Sequence, residues 1–155
     1  MSATNKGKPA LRDDLEQLVQ AVMKQPGFMR NIGAELAHLA PGDVELRLDA
    51  GDHVRQFTGA VHGGVVTALA DHAAGAAVTT MLPAGQIAVT TELKINFLSQ
   101  AKAPTLLAHA QVEKTGRSVC VATVDVFAGS TREADKCALA IVTLAPIPFQ
   151  TGSAT

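Results

Sequence analysis

Two features of this 155-residue chain have residue types suited to catalysis: Asp71, and the segment His62-Gly63-Gly64 that begins nine positions before it. Between positions 65 and 78 only Thr67, Asp71 and His72 are polar, and six of the fourteen residues are alanine. A helix that is apolar nearly all round is a buried one. A carboxylate inside such a helix is costly unless something pairs with it. The residues one turn from Asp71 on its own face are Thr67, Ala68, Ala74 and Gly75, all small and none basic. That face offers a carboxylate beside open space, which suits a substrate or a second subunit, and base or nucleophile chemistry. The alternative is a buried aspartate hydrogen-bonded to a strand backbone or to His72. Spacing leaves both readings open.

His62-Gly63-Gly64 immediately precedes the first apolar turn. Amides at a helix start have no intrahelical acceptor and carry the positive end of the helix dipole. Glycines let a ligand oxygen approach such amides closely. The segment can therefore polarise a carbonyl and stabilise an oxyanion, or simply make a tight entry to the helix. Eight residues of helix separate Gly63 from Asp71 by about 12 Å along the axis. The two cannot serve one carbonyl from one chain. If both are catalytic, they come from different subunits across an isologous two-fold interface.

These residues need a scaffold, and the hydrophobic pattern supplies one. Leu11, Leu15, Leu18, Val19 and Val22 recur at helical spacing, and Pro26-Gly27 ends that helix. Residues 34–39 and 44–48 read as a hairpin turning at Pro41-Gly42-Asp43. Residues 53–61 read as a loop, and 62–81 as the long helix, closed by Pro83-Ala84-Gly85. Segments 87–98, 105–114, 117–128 and 137–144 read as a meander of four strands. In the second of these, Leu106, Ala108, Ala110 and Val112 share one face, with His109, Gln111 and Glu113 on the other. The expected architecture is α+β: one antiparallel sheet wrapped around a long buried central helix, with an N-terminal helix. The open side and sheet edges of such a wrap favour oligomers.

The length suits one domain over residues 1–155, with 1–9 and 149–155 as loose tails. The chain is 47% hydrophobic with no Trp or Tyr and five Phe, so its core is aliphatic. A net charge of −1 gives no footprint for nucleic acid or an anionic membrane. A polar N-terminus and the absence of a spanning run imply a cytoplasmic protein. Cys120 and Cys137 fall in different strands and are expected to be reduced and inert. His62, Asp71 and His72 lack metal-ligand spacing on one helical face, so no metal is expected.

The run Gly59-x-Val61-His62-Gly63-Gly64-Val65-x-x-x-Leu69-Ala70-Asp71 resembles the motif of PaaI-type hotdog thioesterases. That group includes phenylacetate-pathway and mammalian mitochondrial acyl-CoA thioesterases. Thr90-Thr91-Glu92-Leu93-Lys94-Ile95-Asn96-Phe97-Leu98 resembles the family's strand after the helix, and Thr115-Gly116-Arg117-Ser118-Val119 its later turn. The resemblance covers approximately residues 30–145. It implies a hotdog fold and hydrolysis of an acyl-CoA to free acid and coenzyme A, with no cofactor beyond the coenzyme A of the substrate. Asp71 matches the catalytic carboxylate, as general base or nucleophile, and Gly63 the glycine whose amide polarises the carbonyl. Gln56 matches an Asn or Gln that assists at the carbonyl, and Thr90 a hydroxyl that holds the attacking water. In another branch that hydroxyl sits one turn after the carboxylate, where this chain has Gly75. His62 shapes the loop or contacts the thioester, beside Gly64. Arg117, Lys94, Lys102 and Lys114 are candidates for the coenzyme A nucleotide, and Phe28 and Phe57 for the acyl pocket. The minimal unit is a homodimer, with a homotetramer common in the family.

Two rivals remain on the sequence alone. A hotdog hydratase or dehydratase would need an acid/base histidine beside the helix carboxylate. A non-catalytic acyl-CoA binding module would keep the pocket without needing Asp71.

Overall fold

The computed structural model describes residues 15–149. The expected helical positions before Leu15, and most of both expected tails, lie outside that span. Helix α1 (Leu15–Lys24) and a single turn α2 (Phe28–Ile32) lead into strands β1 (Ala34–Ala40) and β2 (Asp43–Asp49). The long helix α3 (Gly63–Thr79) follows, then β3 (Gln86–Phe97), β4 (Thr105–Lys114), β5 (Cys120–Phe127) and β6 (Lys136–Pro148). The turn α2 was not expected from the sequence.

The six strands form one antiparallel sheet in the order β1-β2-β4-β5-β6-β3. The expected four-strand meander is therefore corrected. Only β4, β5 and β6 run as neighbours, while β3 crosses to the far edge and pairs with β6 from Gln86↔Pro148 to Phe97↔Ala138. The place of β3 beside β4 passes to β2, whose Val44, Leu46 and Leu48 align with Ala110, Ala108 and Leu106. All six of these side chains are fully buried. The expected strand over 117–128 also begins later, at Cys120, so Arg117 belongs to the turn.

The sheet curls around α3 because both surfaces are small. On the helix, Ala70, Ala73, Ala74 and Ala77 are fully buried, and on the strands Ala108, Ala110, Ala122, Ala138 and Ala140 are too. At seventeen residues α3 runs about 26 Å. Two threonines fasten its far end. Thr79 Oγ1 accepts from the Ala88 amide at 3.1 Å. Thr80 Oγ1 accepts from the Gly42 amide at 2.7 Å and donates to Ala77 O at 2.6 Å. Gly42 turns the β1–β2 hairpin at a φ of 66°, which a side chain would resist.

On the outer face of the sheet, Leu107 and His109 of β4 both depart from simple alternation by being buried. His109, expected on a polar face, is only 7% exposed. Its Nε2 lies 2.9 Å from Asp43 Oδ1, and Arg132, from the β5–β6 loop, contacts both Asp43 and Glu45 above it. Burial opposes ionisation of Asp43, but the hydrogen bond and charge of His109, with Arg132 and Gln111, hold its carboxyl below the usual range. Cys120 and Cys137 are both free and buried. Burial pushes the Cys137 thiol up, which keeps it unreactive.

Thr80→Val keeps the shape of the side chain but leaves the buried Gly42 amide without its acceptor. The expected loss is about 1–3 kcal/mol of stability in chemical denaturation, with an unchanged dependence on denaturant.

Candidate active site

The start of α3 is prepared by the segment before it. Arg55 donates to three carbonyls, Gly59 O at 2.7 Å, Ala50 O at 2.8 Å and Ala103 O at 3.2 Å. A tight turn closes over residues 56–60, with the Gln56 amide on Ala60 O and the Gly59 amide on Gln56 O. The His62 amide bonds Val54 O and the Val61 amide bonds Ala101 O, so the helix entry is tied to both flanking loops. Arg55 carried no signal in the sequence, since its role rests on main-chain carbonyls, two local and one, Ala103 O, from a distant loop.

His62 is the N-cap of α3, and its Nδ1 accepts from the Gly64 amide at 2.9 Å. That contact gives His62 a structural task and commits the Gly64 N–H. The Val65 and Val66 amides both reach His62 O. Among the described residues nothing accepts from the Gly63 N–H, so this amide is the donor left for a ligand. A methyl on Gly63 would sit 3.2 Å from Phe97 Cζ. Gly63, Gln56 and Phe97 line a common cavity of about 230 Å³, together with Val66, Gln100 and Ala101.

Asp71 lies on a different wall. It is half-buried, because α3 meets α1 and β3 at this flank and leaves space between them, as in the reading that set the carboxylate beside open space. Thr90 Oγ1 on β3 donates to Asp71 Oδ1 at 2.6 Å. The two line a cavity of about 380 Å³ whose other walls include Leu18, Val22, His72, Gly75, Ile87, Val89 and Phe149. Phe149, expected in a loose tail, donates its amide to Gly85 O at 2.8 Å. The expected pocket phenylalanines are elsewhere. Phe57 is 99% exposed and Phe28 56% exposed, and neither borders this cavity. The apolar stripe of α1, readable as ordinary core, supplies the wall in their place.

The candidate residues thus fall into two groups within one chain: Asp71 with Thr90, and Gly63 with Gln56 and His62. Arg117, Lys94, Lys102 and Lys114 are exposed. Lys94 lies opposite Ile141, an outward residue of β6, whereas Thr90 lies opposite the buried Leu144. Lys94 therefore points away from the face that carries Asp71.

Comparison with known proteins follows this geometry. The profile described as the thioesterase superfamily matches residues 58–134, from the Gln56 turn through both carboxylate-side elements. A crystal structure of a thioesterase family protein from Silicibacter pomeroyi is 31% identical, with a TM-score of 0.80 over 86% of this chain and 98% of that one. The chain belongs to the thioesterase superfamily. The 1,4-dihydroxy-2-naphthoyl-CoA hydrolase of Listeria monocytogenes is 30% identical over 95 residues, covering 61% of this chain and 77% of that enzyme. The E. coli PaaI protein, from the phenylacetic acid degradation operon, shares the hotdog fold at a TM-score of 0.79. It is 22% identical over 91% of this chain and 99% of that one. Thioester hydrolysis is the reaction class of this superfamily member. No helix among its described residues is long and apolar enough to cross a membrane.

His72 gives the thioesterase a measurable pH dependence. Burial pushes its imidazole below the ordinary value of 6.5, and the neighbouring Asp71 charge only partly restores it. The unfolded chain takes up this proton at higher pH than the folded protein does. Stability from this residue is therefore full above the ordinary histidine range and falls as pH drops through it. The unfolding temperature should decline between about pH 7.5 and about pH 5.5, and His72→Leu should flatten that slope.

Proposed function

We propose that this chain hydrolyses an acyl-CoA thioester to a free acid and coenzyme A, as a homodimer in which each site draws on both subunits. The observation that supports this most directly is the division of the candidate residues. Asp71 and Thr90 share the apolar cavity, while the unclaimed Gly63 N–H and Gln56 share another. The helical rise keeps them about 12 Å apart in one chain. A two-fold axis reverses the direction of α3 and brings the partner subunit's Gly63 alongside Asp71. The unpaired edge of β3, twelve residues long and largely exposed, provides a surface for that pairing.

In this reading the acyl group enters the cavity beside Asp71. The thioester carbonyl accepts a hydrogen bond from the amide of the partner subunit's Gly63, assisted by the partner subunit's Gln56. Thr90 and Asp71 hold a water. Asp71 takes its proton as the oxygen attacks the carbonyl carbon, and negative charge gathers on the oxygen facing the helix N-terminus. Collapse of the tetrahedral intermediate breaks the C–S bond, and the departing thiolate recovers the proton. A nucleophilic Asp71 would form an anhydride first, with water attacking in a second step. Gly64 keeps the helix mouth clear of a side chain. Exposed Arg117, Lys102 and Lys114 are available to the nucleotide phosphates, whereas Lys94 lies on the opposite face of β3 from Asp71. Two free, buried cysteines accord with a cytoplasmic setting, and two such dimers would make the homotetramer.

Asp71→Asn should lower kcat for thiol release from acyl-CoA by more than ~100-fold while acyl-CoA still binds. Near-normal turnover in that variant would remove Asp71 from the chemistry. Tight acyl-CoA binding by the unaltered protein with no thiol release would favour the binding module.

Mixing two inactive variants tests the shared site. Asp71→Asn and Gly63→Val, co-expressed, should regain up to about a quarter of full activity, since mixed dimers keep one intact site. No recovery, with mixed dimers demonstrated by tagged co-purification, would place the whole site within one chain.

A further inference from the structure

The Gly63 cavity is lined by two segments far apart in the chain. Gln56, Ala60 and Val61 come from the turn before α3, and Ser99, Gln100 and Ala101 from the β3–β4 loop. That turn has no apolar anchor within its own subunit. Phe57 is 99% exposed, and Thr58 and Gly59 are exposed as well, so burial holds none of these residues in place. Hydrogen bonds must hold the turn instead, and the Arg55 guanidinium supplies those made by a side chain.

Arg55 does not itself border the cavity. Its Nη1 donates to Gly59 O inside the turn, and its Nη2 to Ala50 O before the turn and Ala103 O on the β3–β4 loop. Among the described residues no carboxylate lies within ion-pair distance of it, so the charge meets main-chain carbonyls alone. A planar fork of fixed donors suits several carbonyls at once, which the point charge of a lysine does not. Two backbone bonds tie the same segments, Ala50 N to Pro104 O at 2.7 Å and Val61 N to Ala101 O at 2.8 Å. Neither depends on the side chain at position 55. What the fork adds is the placing of Gly59 O relative to Ala103 O, and with it the placing of Gln56 and the helix entry.

We propose that Arg55 is a positioning residue for thioester hydrolysis. It sets the turn that carries Gln56 and leads to Gly63, and so aligns the carbonyl-polarising half of the site. The inference rests on the reading in which that half serves the Asp71 of the other subunit. Arg55 touches neither the substrate nor the reacting atoms. Its loss slows the chemical step more than it weakens binding, because a displacement of about 1 Å in a site can cost about 100-fold.

Arg55→Met keeps the apolar stem and removes the fork. It should lower kcat for thiol release from acyl-CoA by about 10-fold to 100-fold, with KM within about threefold of normal. Arg55→Lys should restore part of the loss. Mixed dimers then assign the effect to one half of the site. Arg55→Met co-expressed with Asp71→Asn should regain about a quarter of full activity, since each mixed dimer keeps one intact site. Arg55→Met with Gly63→Val should stay at or below the level of Arg55→Met alone, because both changes strike the same half. A general folding defect would spoil the Asp71 half of the Arg55→Met chain too, so no recovery with Asp71→Asn overturns the assignment. So does recovery with Gly63→Val, a near-normal kcat in Arg55→Met, or a loss confined to KM. The pair Asp71→Asn with Gly63→Val tells the two failures apart. Recovery there, but none between Arg55→Met and Asp71→Asn, sinks this inference alone, whereas no recovery in either removes the shared site and this inference with it.

Discussion

The constraint on which the rest of the structure depends is the close contact between α3 and the concave face of the sheet. Both surfaces are rich in alanine, and the alanines of the helix centre and of the facing strands are fully buried in one core. Small side chains bring backbones near, and a protein interior packed this densely has no slack for a larger residue. Polar groups on the helix are consequently excluded from its centre line. They survive at the flank, where α1, β3 and the helix splay apart around Asp71 and His72, and at the two ends, where the entry residues lie and where Thr79 ties the helix to β3. The positions available for chemistry are set by packing before any substrate is considered.

How much of this could be read from the chain varied with the range of the interaction. The long helix was legible because alanine content and polar spacing over a few turns are local properties. The strands were legible for the same reason. The position of β3 was not, since its partner β6 begins some forty residues later and nothing within either segment states which edge it takes. His109 was misplaced for a related reason: alternation assigns it to the outer face correctly, but Asp43 and Arg132 cover it from other parts of the chain. Asp71 stood out as the anomaly of its helix, but spacing alone left open whether it was buried or faced open space, because a gap between three elements has no sequence signature. Phe28 and Phe57 were attractive as pocket residues by type, whereas the wall is built from the leucine and valine stripe of α1.

The two halves of the candidate site are organised by different means. On the amide side, rigidity comes from backbone hydrogen bonds and the Arg55 fork, so the loop before α3 is held before any ligand arrives. On the carboxylate side, order comes from a single hydroxyl on β3 and from the walls of an apolar cavity. Such an arrangement holds the Gly63 amide in a fixed frame and leaves the Asp71 side bounded by the walls of a cavity. Preorganised donors of this kind act without reorganisation during the reaction.

The far placement of β3 has a consequence for how the chain acquires its fold. β3 follows the helix directly, yet among the described residues its only neighbour in the sheet is β6, reached across a high sequence separation. During synthesis this long strand, and the Thr90 it carries, must wait with both edges bare until β6 has been made. The loop closure that finally captures it is slow by nature, and a bare strand is exposed to pairing with other chains meanwhile. The carboxylate half of the site therefore forms only once β6 has joined the sheet, and the Gly63 cavity, walled by Phe97 of β3 and Cys137 of β6, waits for the same event.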